Sequence, residues 1–283
     1  MIWPDVVDLI VKLALREDVG RKDITTTALL GENLHIRAEL EAKETGVLCG
    51  LEVAERVFRH VDENLRFLPV AKDGEFLELL REVAYIDGSA RSILIAERTA
   101  LNFVGHLSGI ATLTRRFVDK VRGTKAKIMD TRKTIPNLRI LEKYAVTMGG
   151  GVNHRSGLYD QALIKDNHLR VLKSRSIPDL VQAVRENVLK KTVVGIEVKN
   201  LKELAEALKT KVNYVLLDNM TPELIHEAVQ MRTKAGSRIE LEVSGGIHLE
   251  NVRDYAMTGV ERISIGALTH SAPWLDVSLD IVE

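Results

Sequence analysis

Residues 193–222 read VVGIEVKNLKELAEALKTKVNYVLLDNMTP. One apolar run ends at Glu197, and a helix capped by Asn200 follows to Thr210. A second apolar run ends at Asp218, where Thr221 and Pro222 open the next helix. The rhythm repeats on either side. Apolar runs end also at Asp130, Lys165, Ser244 and Gly266, and another helix spans about Leu249 to Thr258 with Gly259 behind it. Strand and helix in alternation mean parallel strands joined by right-handed crossovers. The pattern predicts an α/β fold, a (β/α) barrel of which six or seven parallel strands can be counted. An open doubly wound sheet is the rival, but no glycine-rich dinucleotide turn follows the first strand.

Upstream the pattern differs. Pro4 opens an amphipathic helix in which Val6, Leu9, Ile10, Leu13 and Ala14 share a face, until Gly20 stops it. Leu34, Ile36, Ala38, Leu40 and Ala42 then alternate with His35, Arg37, Glu39, Glu41 and Lys43, the period of a half-buried strand. Shorter strands are expected at Val47–Cys49, Leu65–Val70, Val83–Ile86 and Ser92–Ala96, with a helix over Leu51–Val61. Ala96 to Val121 reads as one long helix. Residues 1–106 therefore read as an α+β unit with an antiparallel sheet, and residues 107–271 as the barrel.

A chain of 283 residues suits one large domain or two ordinary ones. With 45% hydrophobic and 28% charged residues, disorder and fibrous repeats are excluded. Forty basic side chains balance forty acidic ones, which argues against a general nucleic-acid or membrane-surface partner. That zero is an average, because residues 115–175 hold fifteen Lys or Arg against five acids. Cys49 stands alone, so no disulfide framework exists. The first helix carries Asp5, Asp8, Lys12 and Arg16, unlike a signal peptide, and no long uncharged apolar run occurs. A cytoplasmic enzyme is expected.

In a (β/α) barrel the chemistry sits at the C-terminal ends of the strands. There this chain has Asp130-Thr131-Arg132-Lys133-Thr134, His154-Arg155, Lys165-Asp166-Asn167-His168, Glu197, Asp218-Asn219, Ser244-Gly245-Gly246, and Gly266-Ala267 with His270. Arg132, Lys133, Arg155 and Lys165 form a cationic group suited to an anion with several carboxylates or phosphates. Glu197 and Asp218, one βα unit apart, suit Mg²⁺ or sugar hydroxyls, or else pair with the lysines. Ser244, Gly245, Gly246, Gly266 and Ala267 close the last two strands. Glycine there lets backbone N–H groups approach a phosphate, and the next helix aims its N-terminus at it. His154 fits an anion donor better than a catalytic acid; a proton shuttle or a satisfied loop histidine are the alternatives. Gly149-Gly150-Gly151 reads as a flexible turn after a helix over 138–148 rather than a phosphate loop, since no helix follows directly. His35, His60, His106, His226 and His248 stay unassigned, and no Cys/His cluster has zinc spacing. The residues point to a barrel enzyme binding a phosphorylated sugar and a second, multiply anionic small molecule, with Mg²⁺.

Longer motifs carry a resemblance. They are Glu97-Arg98-Thr99-Ala100-Leu101-Asn102, Ser108-Gly109-Ile110-Ala111-Thr112, the Asp130–Thr134 run, and Gly149–Leu158. Leu163–His168, Leu217-Asp218-Asn219-Met220 and Ser264–Ser271 follow, and the opening adds Ala14–Asp18 and Asp23–Thr26. In these residues the chain resembles the quinolinate phosphoribosyltransferase family over nearly its whole length. The resemblance implies phosphoribosyl transfer from phosphoribosyl pyrophosphate to quinolinate with decarboxylation, giving nicotinate mononucleotide in NAD biosynthesis. It implies that residues 1–106 are a sandwich domain, with a tail at 272–283 returning to it, beside an incomplete barrel, in a homodimer or higher assembly. By the family's pattern Arg132, Arg155 and Lys165 hold the quinolinate carboxylates, and Arg98 comes from the neighbouring subunit. Lys133, Glu197, Asp218, Ser244, Gly266 and His270 match the phosphoribosyl pyrophosphate side, with Glu197 and Asp218 serving Mg²⁺ and the ribose. Lys133, Lys165, Glu197 and Asp218 are the residues expected to act in the chemistry.

One stretch departs from the pattern. Thr134-Ile135-Pro136-Asn137 stands where the family usually has Thr-Thr-Pro-Gly, so Asn137 must meet any left-handed backbone demand. The molybdenum-associated branch of the same family is a close rival, but the intact Leu163–His168 and His154–Leu158 runs favour the quinolinate branch. A Schiff-base aldolase with Lys165 as nucleophile fits poorly beside Asp166. A regulatory phosphometabolite-binding module would leave Glu197 and Asp218 superfluous.

Overall fold

The computed structural model describes residues 4–31, 33–172 and 174–282. The chain forms two compact units. One comprises the residues up to Arg115, Thr134–Gly150 and the residues from Leu268 on; the other comprises Arg116–Lys133 and Gly151–Ala267.

The first unit begins with α1 (Pro4–Val19), α2 (Ile24–Leu29), β1 (His35–Ala42), β2 (Gly46–Val47) and α3 (Leu51–Val61). It continues with β3 (Arg66–Pro69), β4 (Phe76–Leu77), β5 (Glu82–Ser89) and α4 (Ala90–Lys120), whose end lies past Arg115. The period-two run builds β1, with Ala38, Leu40 and Ala42 fully buried. The last strand, β12 (Val277–Ile281), lies antiparallel to β1, and β5 and β3 complete the sheet in the order β12-β1-β5-β3.

Two local expectations are corrected. The buried stripe of α1 is Val7, Ile10 and Val11, whereas Val6, Leu9 and Leu13 are 37%, 58% and 56% exposed. Apolar residues cover most of this helix, so periodicity alone cannot choose the stripe; packing on α3 chooses it. Ser92–Ala96 is not a strand but part of the first turns of α4. The run looks β-like locally, yet Ala90, Ile93, Ala96 and Ala100 are buried at helical spacing.

Helix α5 (Arg139–Met148) belongs to this unit, whereas a division at residue 106 leaves it with the barrel. Its wholly buried Glu142 lies 3.0 Å from Nε2 of His106 on α4, which holds the two helices together. Gly149 closes α5, and a Cβ there would collide with the carbonyl of Ala111, so this glycine serves close packing. Gly109 on α4 is similar, because a Cβ would meet the carbonyl of Pro273 in the returning tail. Gly109→Ala is expected to cost about 1–3 kcal/mol, read as a clear drop in Tm. An unchanged Tm would mean the tail moves aside freely.

The second unit holds β6 (Lys127–Met129), β7 (Gln161–Ile164), α6 (Asp166–Val171), α7 (Ile177–Asn187), β8 (Val193–Val198) and α8 (Leu201–Ala207). Then come β9 (Tyr214–Asp218), α9 (Pro222–Lys234), β10 (Glu240–Ser244), α10 (Val252–Met257), β11 (Arg262–Ser264) and α11 (Ala267–His270), which runs past the unit's end at Ala267. All six strands are parallel, in the order β6-β11-β10-β9-β8-β7. Val152 adds a short parallel bridge to Met129. Consecutive strands are thus neighbours from β7 to β11, after which the sheet returns to β6 and then Val152. A doubly wound sheet would instead reverse direction from an internal first strand. The order is that of a (β/α) barrel, six strands and a short seventh, with no ladder between Val152 and β7 among the described residues.

The strand registers put Glu197, Leu216, Glu242 and Arg262 in one row, and Asp218, Ser244 and Ser264 in the next. The alternate residues, among them Ile196, Val215, Leu217, Leu241, Val243 and Ile263, form the apolar core. The strand bodies are therefore apolar on one face only.

Helix α8 keeps its expected cap, Asn200 accepting from the Glu203 backbone N–H at 2.9 Å, but ends at Ala207. Helix α10 begins at Val252 rather than Leu249, because His248–Asn251 forms a turn in which the Asn251 side chain accepts from the His248 N–H at 2.8 Å.

Candidate active site

In the second unit, a cavity of about 430 Å³ opens at the C-terminal ends of the strands. It brings together Arg132, Lys133, His154, Arg155, Lys165, Glu197, Asp218 and Ser244, eight of the residues expected from sequence. Each is positioned by the element before it. Strand β6 is followed by Asp130, fully buried, whose Oδ1 accepts from the backbone N–H of His154 at 2.9 Å and so joins two loops of the mouth. Lys165 follows β7, and its backbone N–H donates to Nδ1 of His168 at 2.8 Å. Its ammonium stands 3.2 Å from the buried carboxylate of Glu197 on β8, so the lysine–carboxylate pairing considered from sequence is present within the mouth. Asp166 turns instead to Lys199, at 2.8 Å.

The ends of β9 and β10 interlock. Asn219 and Gly245 have φ of +54° and +98°, the Asn219 N–H donates to the Ser244 carbonyl at 2.9 Å, and a Cβ on Gly245 would overlap the Asn219 side chain. Gly246 is left-handed too, at +64°. The glycine pair is followed by a turn, not directly by a helix N-terminus, which corrects the expectation drawn for that strand end. Gly266 is followed at once by α11, which starts at Ala267 and is four residues long.

Burial, and then the charge of Arg132, make the protonated guanidinium of Arg155 less favourable than in water. An entering anion relieves both effects. A second cavity, about 570 Å³, shares Arg132, Arg155, Leu163 and Lys165 with the first and continues over Ile164, Leu180 and Val184. The mouth thus has an ionic side and an apolar side, a pairing that suits a flat aromatic acid.

Glu242 and Ser264 also line the first cavity, with His154, and belong to a cluster that sequence reading missed. Glu242, fully buried, lies 3.2 Å from Nε2 of His154 and 2.9 Å from Nε of Arg262, and it accepts from Ser264 Oγ at 2.6 Å. Burial pushes its carboxyl upward, but the hydrogen bonds from His154 and Ser264 and the charge of Arg262 outweigh that and hold it below the usual range. The Arg262 guanidinium also stacks 4.1 Å above the Tyr214 ring, whose place is left open by Gly195. The only signal in the sequence was charge alternating with apolar residues at Glu240-Leu241-Glu242 and Arg262-Ile263, which also fits a strand with one wet face.

Two expected site residues belong to the first unit. Arg98 is exposed on α4. His270 lines a cavity of about 400 Å³ with His106, Ile135 and Trp274, and its Nδ1 lies 2.6 Å from Ser271 Oγ. In the departing stretch beside it, Asn137 adopts φ +66°, the left-handed conformation demanded of it. The Ile135 backbone N–H donates to Glu142 at 3.2 Å. No described helix is long and apolar enough to cross a membrane.

A half-open (β/α) barrel with four Lys or Arg cations and four carboxylates around its mouth defines an enzyme for small, multiply anionic substrates. Two family descriptions match the chain: Quinolinate phosphoribosyl transferase, C-terminal domain, over residues 110–280, and the N-terminal domain over residues 23–108. The chain belongs to the quinolinate phosphoribosyl transferase family. It is similar to the nicotinate-nucleotide pyrophosphorylase [carboxylating] of Mycobacterium leprae, 44% identical over 274 residues, which cover 96% of this chain and 95% of the relative. A probable enzyme of the same name from Synechocystis is 40% identical over 278 residues, 98% of this chain and 93% of that one. Among solved structures, the nicotinate-nucleotide pyrophosphorylase from Francisella tularensis matches with a TM-score of 0.94 at 38% identity, covering 100% of this chain and 98% of that one.

Proposed function

We propose that the mouth of the second unit is where this chain, a decarboxylating quinolinate phosphoribosyltransferase, joins quinolinate to phosphoribosyl pyrophosphate. The products are nicotinate mononucleotide, pyrophosphate and CO2, a step of NAD biosynthesis. Family membership and the names of the relatives support the reaction. The observation that carries the site is the gathering of Arg132, Lys133, Arg155 and Lys165 with Glu197 and Asp218 around one cavity.

Arg132, Arg155 and Lys165 hold the two quinolinate carboxylates, the guanidinium forks fixing the plane of the ring. Lys133 and Ser244, with Gly245, Gly246, Gly266 and Ala267 at the strand ends, serve the phosphoribosyl pyrophosphate. Glu197 and Asp218 are hard oxygen donors on adjacent strands, and two such donors fit a divalent ion that takes its other ligands from substrate. They would hold Mg²⁺, which when bound neutralises charge on pyrophosphate. As the ribose–pyrophosphate bond breaks, the anomeric carbon gains positive character and the bound pyridine nitrogen attacks it. Positioning of two substrates supplies much of the rate. The pyridinium so formed accepts the electron pair left when the adjacent carboxylate departs as CO2, and a proton then takes its place on the ring. Lys133 and Lys165 stabilise developing charge, and no enzyme nucleophile takes part.

Purified protein supplied with quinolinate, phosphoribosyl pyrophosphate and Mg²⁺ is expected to form nicotinate mononucleotide. No product, or equal use of nicotinate, would overturn the reading. The working form is a cytoplasmic homodimer or higher assembly in which Arg98 serves the partner's site, a role supported by its exposure on α4. Mixing inactive Arg98→Ala and Lys165→Ala subunits is then expected to restore activity; proven heterodimers without rescue would exclude the sharing.

A further inference from the structure

Arg155 reaches the mouth from a loop, and a loop guanidinium needs its backbone fixed to hold a carboxylate in register. Here the backbone is fixed by a neighbouring ring. The Arg155 N–H donates to Nδ1 of His154 at 2.6 Å, while the His154 N–H donates to Asp130. A backbone N–H can only donate, so Nδ1 carries a lone pair and the ring proton of a neutral imidazole resides on Nε2. Nε2 faces Glu242 Oε1 at 3.2 Å. Glu242 is in turn held by Ser264 and Arg262.

We infer that Glu242 is a positioning residue for the reaction: through the Nε2–H tautomer of His154 it fixes the Arg155 backbone and so aims the guanidinium at quinolinate. The barrel interior could be filled with apolar side chains, and a buried carboxylate with its arginine is a costly substitute. What the pair supplies is direction. A carboxylate opposite Nε2 selects one tautomer and one ring orientation, as an outer carboxylate does for a metal-bound histidine. His154 thereby acts on substrate through Arg155, with Nδ1 turned to the Arg155 N–H and Nε2 to Glu242. The inference rests on Arg155 holding quinolinate.

The first test is on the unaltered protein. Nitrogen-15 chemical shifts of the His154 ring should show Nδ1 unprotonated and Nε2 protonated; a proton on Nδ1 overturns the proposal. The second test is kinetic. Glu242→Gln removes the charge and is expected to raise KM for quinolinate about tenfold, with kcat and KM for phosphoribosyl pyrophosphate changed much less. Equal losses for both substrates would show a merely structural role and overturn it. Arg155→Ala separates the two levels of inference. If it leaves quinolinate binding intact, the site assignment itself falls; if it weakens binding while Glu242→Gln does not, only the positioning role falls.

Discussion

Replacing Arg132 by alanine is expected to weaken quinolinate binding by roughly two to three orders of magnitude, since truncating one partner of a buried charge-assisted pair costs about 2–5 kcal/mol. KM for phosphoribosyl pyrophosphate should change little. Arg132 lines both cavities of the mouth and stands near enough to Arg155 for its charge to act there. The charge of Arg132 disfavours the protonated guanidinium of Arg155, and a dicarboxylate bound beside it offsets that cost. Without Arg132 one carboxylate loses its fork, and Arg155 alone cannot fix the ring plane. Arg132→Lys should recover only part of the loss, because an ammonium offers a point charge where a carboxylate prefers two parallel donors. Direct titration of quinolinate measures this, and a variant that loses phosphoribosyl pyrophosphate affinity equally would break the division of the site.

The second large effect is expected at Asp218. Asp218→Ala should lower kcat/KM for phosphoribosyl pyrophosphate by roughly a hundredfold or more, a loss of about 2.7 kcal/mol, while quinolinate binding alone is nearly unchanged. Asp218 ends β9 in the same row as Ser244, one row above Glu197, and lines the first cavity but not the second, which Arg132 and Arg155 share. Asp218→Asn separates two roles. A loss as large as that of alanine means the charge matters, as holding Mg²⁺ requires; a much smaller loss means a hydrogen bond to ribose suffices. If Asp218→Ala abolishes quinolinate binding alone, the assignment is wrong.

Much of the site was legible in the sequence because site residues interrupt apolar runs. Lys165 follows β7, Glu197 is the last residue but one of β8 and Asp218 ends β9, each breaking an apolar run, and barrel topology sends all three to one mouth. Glu242 and Arg262 gave no such signal. Glu242 is the middle residue of β10 and Arg262 opens β11, and a charged residue at period two there reads as solvent-facing. Only the sheet's curvature turns that face into an interior and makes it costly to leave a charge unpaired. Similarly, the many apolar residues of α1 announced a helix but left its buried stripe open until α3 packed against it. Ser92–Ala96 read as a strand because five residues are too few to separate the two periods, and the buried stripe continuing to Ala100 decided for a helix.

The sequence by itself determined the alternation of strand and helix, the parallel barrel and the cations and carboxylates at its mouth. These follow from local periodicity and from polar residues at strand ends. The tertiary structure alone decided which face of each strand is interior, that Glu142 joins His106, and that His154 is shared between Glu242 and Arg155. Such choices depend on distances between residues far apart in the chain, and the energy of a buried charge is set by those neighbours rather than by its own segment.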